Sequence, residues 1–271
     1  MALEKVAYTS TVLVEQHTLF SQYLEREVMI DCYLPRHIPR QGEISLLLFN
    51  DGQDLPKIAF DILLDGLFSA NLVQPLLCVG IHCGPDRINE YGTAYSPDYK
   101  GRGAKAGLYT KFVMDELLPF IRATYHTPSF KDKSFAGFSL GALSALDIAW
   151  NHANEFYRVG VFSGSLWWRR KAYEDGYDEE RDRLMHLQVQ QGDLYPWLRL
   201  FIQCGALDEV ADRNKNGIID SIDDAQDLVH ILKARGYTDE HIHFLLLPDG
   251  RHDIESWGKA LPVFLQWGWG K

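Results

Sequence analysis

A series of short apolar runs, separated by helix-like stretches, constrains what this chain can fold into more than any other feature. Ile44-Ser45-Leu46-Leu47-Leu48-Phe49 and Leu76-Leu77-Cys78-Val79-Gly80-Ile81 do not alternate between polar and apolar residues. Such continuity is the mark of a strand covered on both faces. Lys133-Ser134-Phe135-Ala136, residues 158–162, 198–204 and 241–247 read the same way. Helical stretches are predicted over about 56–69, 108–121, 142–150 and 222–235, with another at the C-terminus. Pro119 should kink or end the second of these. Lys233, Arg235 and Gly236 are a C-terminal signal for the fourth. Residues 9–16 and 27–34 read as an antiparallel lead-in pair. This alternation predicts an α/β fold with a mostly parallel sheet and helices on both faces. A chain of 271 residues suits one such domain, 1–271. Two long polar insertions, at about 83–106 and 163–197, are long enough to serve as functional surface. In sheets of this kind chemistry collects at the carboxyl ends of the strands.

The net charge of −10 argues against a nucleic-acid backbone or an anionic membrane surface as partner. No apolar run approaches membrane-spanning length. The opening Met1-Ala2-Leu3-Glu4-Lys5 lacks a secretory signature. Cys32, Cys78, Cys83 and Cys204 have no metal or redox spacing, and Cys78 and Cys204 read as free core thiols. A cytoplasmic location is the expectation; a secreted protein trimmed of its signal has the same appearance.

Gly137-Phe138-Ser139-Leu140-Gly141 lies between a strand-like run and a helix-like run. Strand, G-x-S-x-G, helix is the context of a nucleophile elbow. Its glycines admit a sharp turn, and the serine stands at a helix N-terminus that favours developing negative charge. A serine hydroxyl needs a base. His252, just past the last strand in Gly250-Arg251-His252-Asp253, is the best placed of the ten histidines. His82 could line the cleft or be structural, and His241 and His243 look like surface positions. Asp208, after the strand at 198–204, is favoured as the acid over Glu209 and Asp212, because Asp212 has a second apparent duty. The chain order Ser139, Asp208, His252 is that of the α/β-hydrolases. The oxyanion donors should be the amide of Leu140 and the amide of Gln53, presented by the Asn50-Asp51-Gly52 turn.

Four segments carry a family resemblance: Phe49-Asn50-Asp51-Gly52-Gln53, the elbow, Val161-Phe162-Ser163-Gly164-Ser165-Leu166-Trp167-Trp168, and Gly250-Arg251-His252-Asp253. Together they resemble the putative-esterase family, which includes esterase D, enterobactin-type trilactone esterases, feruloyl and acetyl-xylan esterases and the mycolyltransferases. The resemblance spans most of 10–270 and is weakest across 170–197. It implies an α/β-hydrolase fold, carboxylic-ester chemistry and an oxyanion hole built from the Gln53 and Leu140 amides. Asn50 departs from the family pattern without altering the backbone role.

A second motif runs from Asp212 to Asp223. Asp212, Asn214, Asn216, the Ile218 carbonyl, Asp220 and Asp223 fall at the spacing of a twelve-residue calcium loop, with Gly217 at the turn. It resembles a dockerin-type loop, in which a shorter acid stands at the last position. The expectation is a structural calcium that braces the segment carrying Asp208; catalysis itself needs no cofactor. The alternative is an ion-free loop before a well-capped helix.

Arg87, Glu90 and Tyr91, and Trp167 and Trp168, follow predicted strands and are candidates to hold a substrate; Trp257 and Trp267 read as core. The expected function is serine ester hydrolysis through an acyl-enzyme on a small-molecule ester carrying a small acyl, aryl or sugar-linked group. Two rivals are an acyltransferase on the same scaffold and a catalytically silent domain that binds glycans or a protein.

Overall fold

The apolar runs lie in an eight-stranded sheet in the computed structural model, which describes residues 10–36 and 42–271. All are central except the run at 241–247, expected to be covered on both faces, which forms a partly exposed edge strand. Strands β1 (Val12–Ser21), β2 (Arg26–Pro35), β3 (Ser45–Asn50), β4 (Leu76–Ile81), β5 (Lys133–Phe138), β6 (Arg158–Phe162), β7 (Arg199–Leu207) and β8 (Ile242–Arg251) lie in the order β1-β2-β4-β3-β5-β6-β7-β8. β2 is antiparallel to both its neighbours, and the remaining pairs are parallel. The helices are α1 (Phe60–Ser69), α2 (Arg87–Glu90), α3 (Ala106–Lys111), α4 (Leu118–Thr124), α5 (Leu140–Asn151), α6 (Glu179–Asp182), α7 (Leu184–Gln191), α8 (Asp220–Ala234) and α9 (Ile254–Trp269).

Alternate side chains of one strand point to opposite faces, which explains why β3 is apolar throughout. Leu46 and Leu48 join a core with Phe112, Ile121 and Leu143, in the layer containing α3, α4, α5, α7 and α8. Leu47 and Phe49 join the opposite core with Phe60, Leu64, Leu261 and Phe264, in the layer formed by α1 and α9. Burying each such side chain contributes about 1.5–3 kcal/mol. Helix α5 is buried from Leu140 to Trp150, so its apolar residues run all round it rather than along one stripe.

The expected α/β-hydrolase architecture is therefore present, with four local differences. β1 begins at Val12 and runs to Ser21; Thr9 of the expected strand, and Met1–Lys5, lie outside the described residues. Pro119 does not end the helix, which runs on to Thr124; instead a π-helical stretch over Phe112–Leu117 interrupts the regular α ladder just before it. β8 continues through the expected turn at Pro248-Asp249-Gly250 as far as Arg251. A register shift between Gly205 and Leu207 lets Leu207 pair with Arg251, so both strands run on at their carboxyl ends. Finally, the excursion after β6 folds into α6 and α7 instead of remaining a loop. Among the described residues no helix is long and apolar enough to cross a membrane.

Candidate active site

Ser139 occupies the turn between β5 and α5 with φ 54° and ψ −120°, a conformation that costs an L-residue on the order of 1–3 kcal/mol. Its surroundings enforce it. The Ser139 amide donates to the Phe162 carbonyl at 2.9 Å, and its carbonyl accepts from the Ser165 amide at 3.1 Å. A Cβ on Gly137 would stand 2.5 Å from the Gly141 carbonyl oxygen, and one on Gly141 would stand 2.6 Å from Asp51 Oδ2. Both elbow glycines are thus required by close approach.

His252 follows β8 directly, and its Nε2 lies 2.9 Å from Ser139 Oγ. Two bonds beside it fix the chain: the Arg251 amide donates to Ser256 Oγ at 2.8 Å, and the Asp253 carboxylate accepts from the Ser256 amide at 2.9 Å. The second is an N-cap for α9. Trp257 meets the imidazole edge-on at a centroid distance of 5.2 Å and stacks on Phe138 at 4.7 Å. Its Nε1–H donates to Ser163 Oγ at 2.9 Å. Trp257 is core, as expected, and also packs against the His252 imidazole. His252 is exposed at the cleft mouth, yet burial of the imidazole lowers its pKa, with Asp208 and Asp253 opposing and Arg87 reinforcing that direction.

Asp208 is near enough for its charge to favour the protonated imidazole. Both of its carboxylate oxygens are buried and, among the described residues, accept no hydrogen bond. No bond joins it to His252, so its influence on the imidazole is that of a nearby charge. Of its rivals, Glu209 lines the same cleft as His252, whereas Asp212 is engaged in its own loop. The Glu209 carboxyl has its pKa raised, chiefly by burial, and Asp212 accepts from the Asn216 and Gly217 amides at 3.1 and 2.9 Å.

Beyond β3 the chain turns at Asp51, whose φ is 59°, into a 3₁₀ helix over Gly52–Ile58. Among the described residues neither the Gln53 nor the Leu140 amide donates to another group. Asn50 Nδ2 donates to the Gly141 carbonyl at 2.7 Å, tying this loop to the first turn of α5. The residue before the Asp-Gly turn thus has a structural duty that its sequence context did not reveal.

Of the expected substrate contacts, three are corrected by burial. Glu90 is 2% exposed and takes Arg26 at 2.8 and 2.6 Å. Tyr91 is fully buried and accepts from the Asp51 amide at 3.3 Å. Trp168 is fully buried and fills the space left by Gly92 and Gly103. Arg87 is spent on Asp51, at 2.7 Å from each guanidinium nitrogen used. Trp167 does reach the cleft, lining a cavity of about 230 Å³ with Ser163, Gly164, Asp208, Glu209, Ser221 and His252. His82 is structural, 2.6 Å from Asp31 Oδ2. His243 stacks on Phe201 at 5.0 Å instead of standing free at the surface. Ser163, with φ 44°, was missed, because only the tertiary contact with Trp257 reveals its part.

In the Asp212–Asp223 loop, Gly217 has the left-handed φ of 87° expected of the turn position. Asn214 and Asn216 each donate to Asp223 Oδ2, at 2.8 and 2.7 Å. Asp220 is turned onto Arg213, accepting its amide at 2.8 Å, and Ile218 donates its amide to Asn216 Oδ1 at 2.7 Å. Among the described residues no three His, Cys, Asp or Glu side chains converge to hold a metal ion.

A serine in a strained turn, a histidine on its hydroxyl and two undirected amides form a site suited to acyl chemistry, and the sequence family agrees. The family model described as Putative esterase matches residues 21–267. The chain belongs to this esterase family. As a family member it is a carboxylic-ester hydrolase, whose substrates are small-molecule esters. The esterase is similar to the YjcH protein of Bacillus subtilis (strain 168), at 23% identity over 226 residues, covering 82% of this chain and 85% of that one. Its fold is similar to that of a ferulic acid esterase, with a TM-score of 0.70 and 19% identity over 96% of this chain and 98% of that chain. It also resembles the enterobactin esterase of Shigella flexneri, with a TM-score of 0.73 and 20% identity over 95% of this chain. The esterase matches only 59% of that longer protein.

Proposed function

We propose that the esterase works through an acyl-enzyme on Ser139. The Ser139 oxygen attacks the ester carbonyl while His252 Nε2 takes its proton. The tetrahedral oxygen is held by the Gln53 and Leu140 amides, and the alcohol leaves with the proton that His252 returns. Water then repeats the cycle at the acyl-enzyme carbonyl. Asp208 stabilises the imidazolium by charge and is the acid of the trio. The observation that carries this reading is the 2.9 Å contact between Ser139 Oγ and His252 Nε2, made by a residue whose backbone strain is hard to account for otherwise. The test is hydrolysis of p-nitrophenyl acetate by Ser139→Ala and His252→Ala. Each should lose at least about 10³-fold in kcat, and wild-type turnover by either variant would end the proposal.

The cleft beside His252, with Trp167 on one side and Glu209 on another, supports an alcohol or acyl group of modest size. Calcium binding by the Asp212–Asp223 loop is a separate proposal. Asp212, Asn214, Asn216 and Asp223 face one another there, and an ion would require the two asparagine amides to turn their oxygens inward. Its role would be to stiffen the segment behind Asp208, with no part in the chemistry.

A further inference from the structure

We propose that Arg87 is a positioning residue for catalysis: through its paired contact with Asp51 it holds the Gln53 amide in register with the Leu140 amide, instead of gripping substrate. The inference rests on the acyl-enzyme reading given above and assigns a duty to a residue outside the trio.

Asp51 needs a restraint. Its backbone is left-handed and its side chain makes no capping bond to the helix it precedes; locally it is held only by the Asp54 amide on its carbonyl at 2.9 Å and a long 3.3 Å contact from Gln53 Nε2 to Oδ1. Its carboxylate is 2% exposed and receives Arg87 Nε and Nη2, each at 2.7 Å. A bidentate guanidinium–carboxylate pair fixes orientation as well as distance. Asp51 Oδ2 is also the atom that a Cβ at Gly141 would meet, so the pair abuts the first turn of α5.

A second link reinforces the first. Asn50 donates to the Gly141 carbonyl at 2.7 Å while its Oδ1 accepts from the Tyr109 hydroxyl at 2.5 Å. Asn50 and Asp51 immediately precede the loop that carries Gln53, and Gly141 immediately follows Leu140. The separation of the two amides is therefore set by this bracket. Gly52 is pressed so closely on the Gly80 backbone that a Cβ there would lie 2.3 Å from its carbonyl carbon, which bars the loop from settling toward β4. Arg87 is braced in turn, its guanidinium 5.1 Å from the centroid of the Tyr91 ring.

The test is a double-mutant cycle on p-nitrophenyl acetate, an uncharged ester with no anionic group for an arginine to pair with. Arg87→Gln and Asp51→Asn should each lower kcat about 10- to 100-fold with KM within about threefold, since a misaligned donor loses transition-state binding. The double variant should be no worse than the weaker single one, because one contact has been broken twice. Affinity for a trifluoromethyl ketone, which forms the oxyanion, should fall by a similar factor, and Arg87→Lys should recover part of the loss. A raised KM with unchanged kcat, losses that multiply in the double variant, or analogue binding left intact would each overturn the proposal. Should Asp51→Asn fail to fold, the half-exposed Arg87 variants still decide the matter through the kcat and analogue readings. A Ser139→Ala control that stayed active would instead overturn the acyl-enzyme reading, so the two failures are distinguishable.

Discussion

Adding one methyl group at Gly137 should separate packing from catalysis at the elbow. A Cβ there stands 2.5 Å from the Gly141 oxygen, 2.6 Å from the Gly141 carbon and 2.9 Å from the Ala142 nitrogen. All three are backbone atoms in the first turn of α5, so no side chain can swing away. Restoring an ordinary contact of about 3.4 Å requires that turn to retreat by about 0.9 Å. Overpacking of this kind costs on the order of 1–3 kcal/mol. Ser139 lies between the two clashing segments, whereas His252 is anchored on β8 and α9, so the 2.9 Å contact between them opens by a comparable distance. A misplacement of that size is worth roughly 10²-fold in rate. The assay is urea unfolding beside kcat/KM on p-nitrophenyl acetate, with Gly66→Ala as the partner experiment. Gly66 is an exposed residue of α1, and a Cβ there meets nothing within 4 Å. The same substitution there should therefore stabilise by about 0.5–1 kcal/mol and leave activity unchanged. A Gly137→Ala enzyme as stable and as active as wild type would refute the reasoning.

Three further outcomes follow from the same geometry. Because burial lowers the pKa of His252 and the base must be neutral, kcat/KM should be full at neutral pH. It should fall only as pH drops through a midpoint below about 6.5, and a midpoint well above that value would contradict it. Asp208→Asn removes a charge that favours the imidazolium, so that midpoint should move further down while kcat falls by about 10- to 100-fold, a charge and no hydrogen bond being lost; an unmoved midpoint would show that another acid serves His252. Calorimetric titration should detect calcium binding that Asp212→Ala abolishes, and the absence of heat at millimolar ion would dismiss the loop as a metal site.

The central strands could be read from sequence because burial on both faces leaves a nearly continuous apolar record in β3 and β4, and in β7 apart from Arg199 and Gln203. The elbow was readable because close approaches, of backbone at Gly137 and of the Asp51 and Asn50 side chains at Gly141, disfavour any side chain there. Long-range contacts left no such record. Glu90, Tyr91 and Trp168 follow strands and carry polar or aromatic groups, as substrate contacts would, yet the insertion folds inward and spends them on Arg26, Asp51 and the small residues Gly92 and Gly103. The pull of Arg213 on Asp220 is a choice of partner that the spacing of a calcium loop does not encode. The extension of β8 to Arg251 depends on a register shift in its neighbour, and Pro248-Asp249-Gly250 alone reads as a turn. The sequence order placed Asp208 after β7, where the structure has it, but that its carboxylate makes no bond to His252 is visible only in three dimensions.

Peptide mapping after treatment with a fluorophosphonate tests the central claim most directly. The account predicts a single stoichiometric adduct on Ser139 that appears in step with loss of esterase activity and is absent from His252→Ala on the same timescale. Inactivation with the adduct on another residue, or hydrolysis that persists with Ser139 fully labelled, would contradict it.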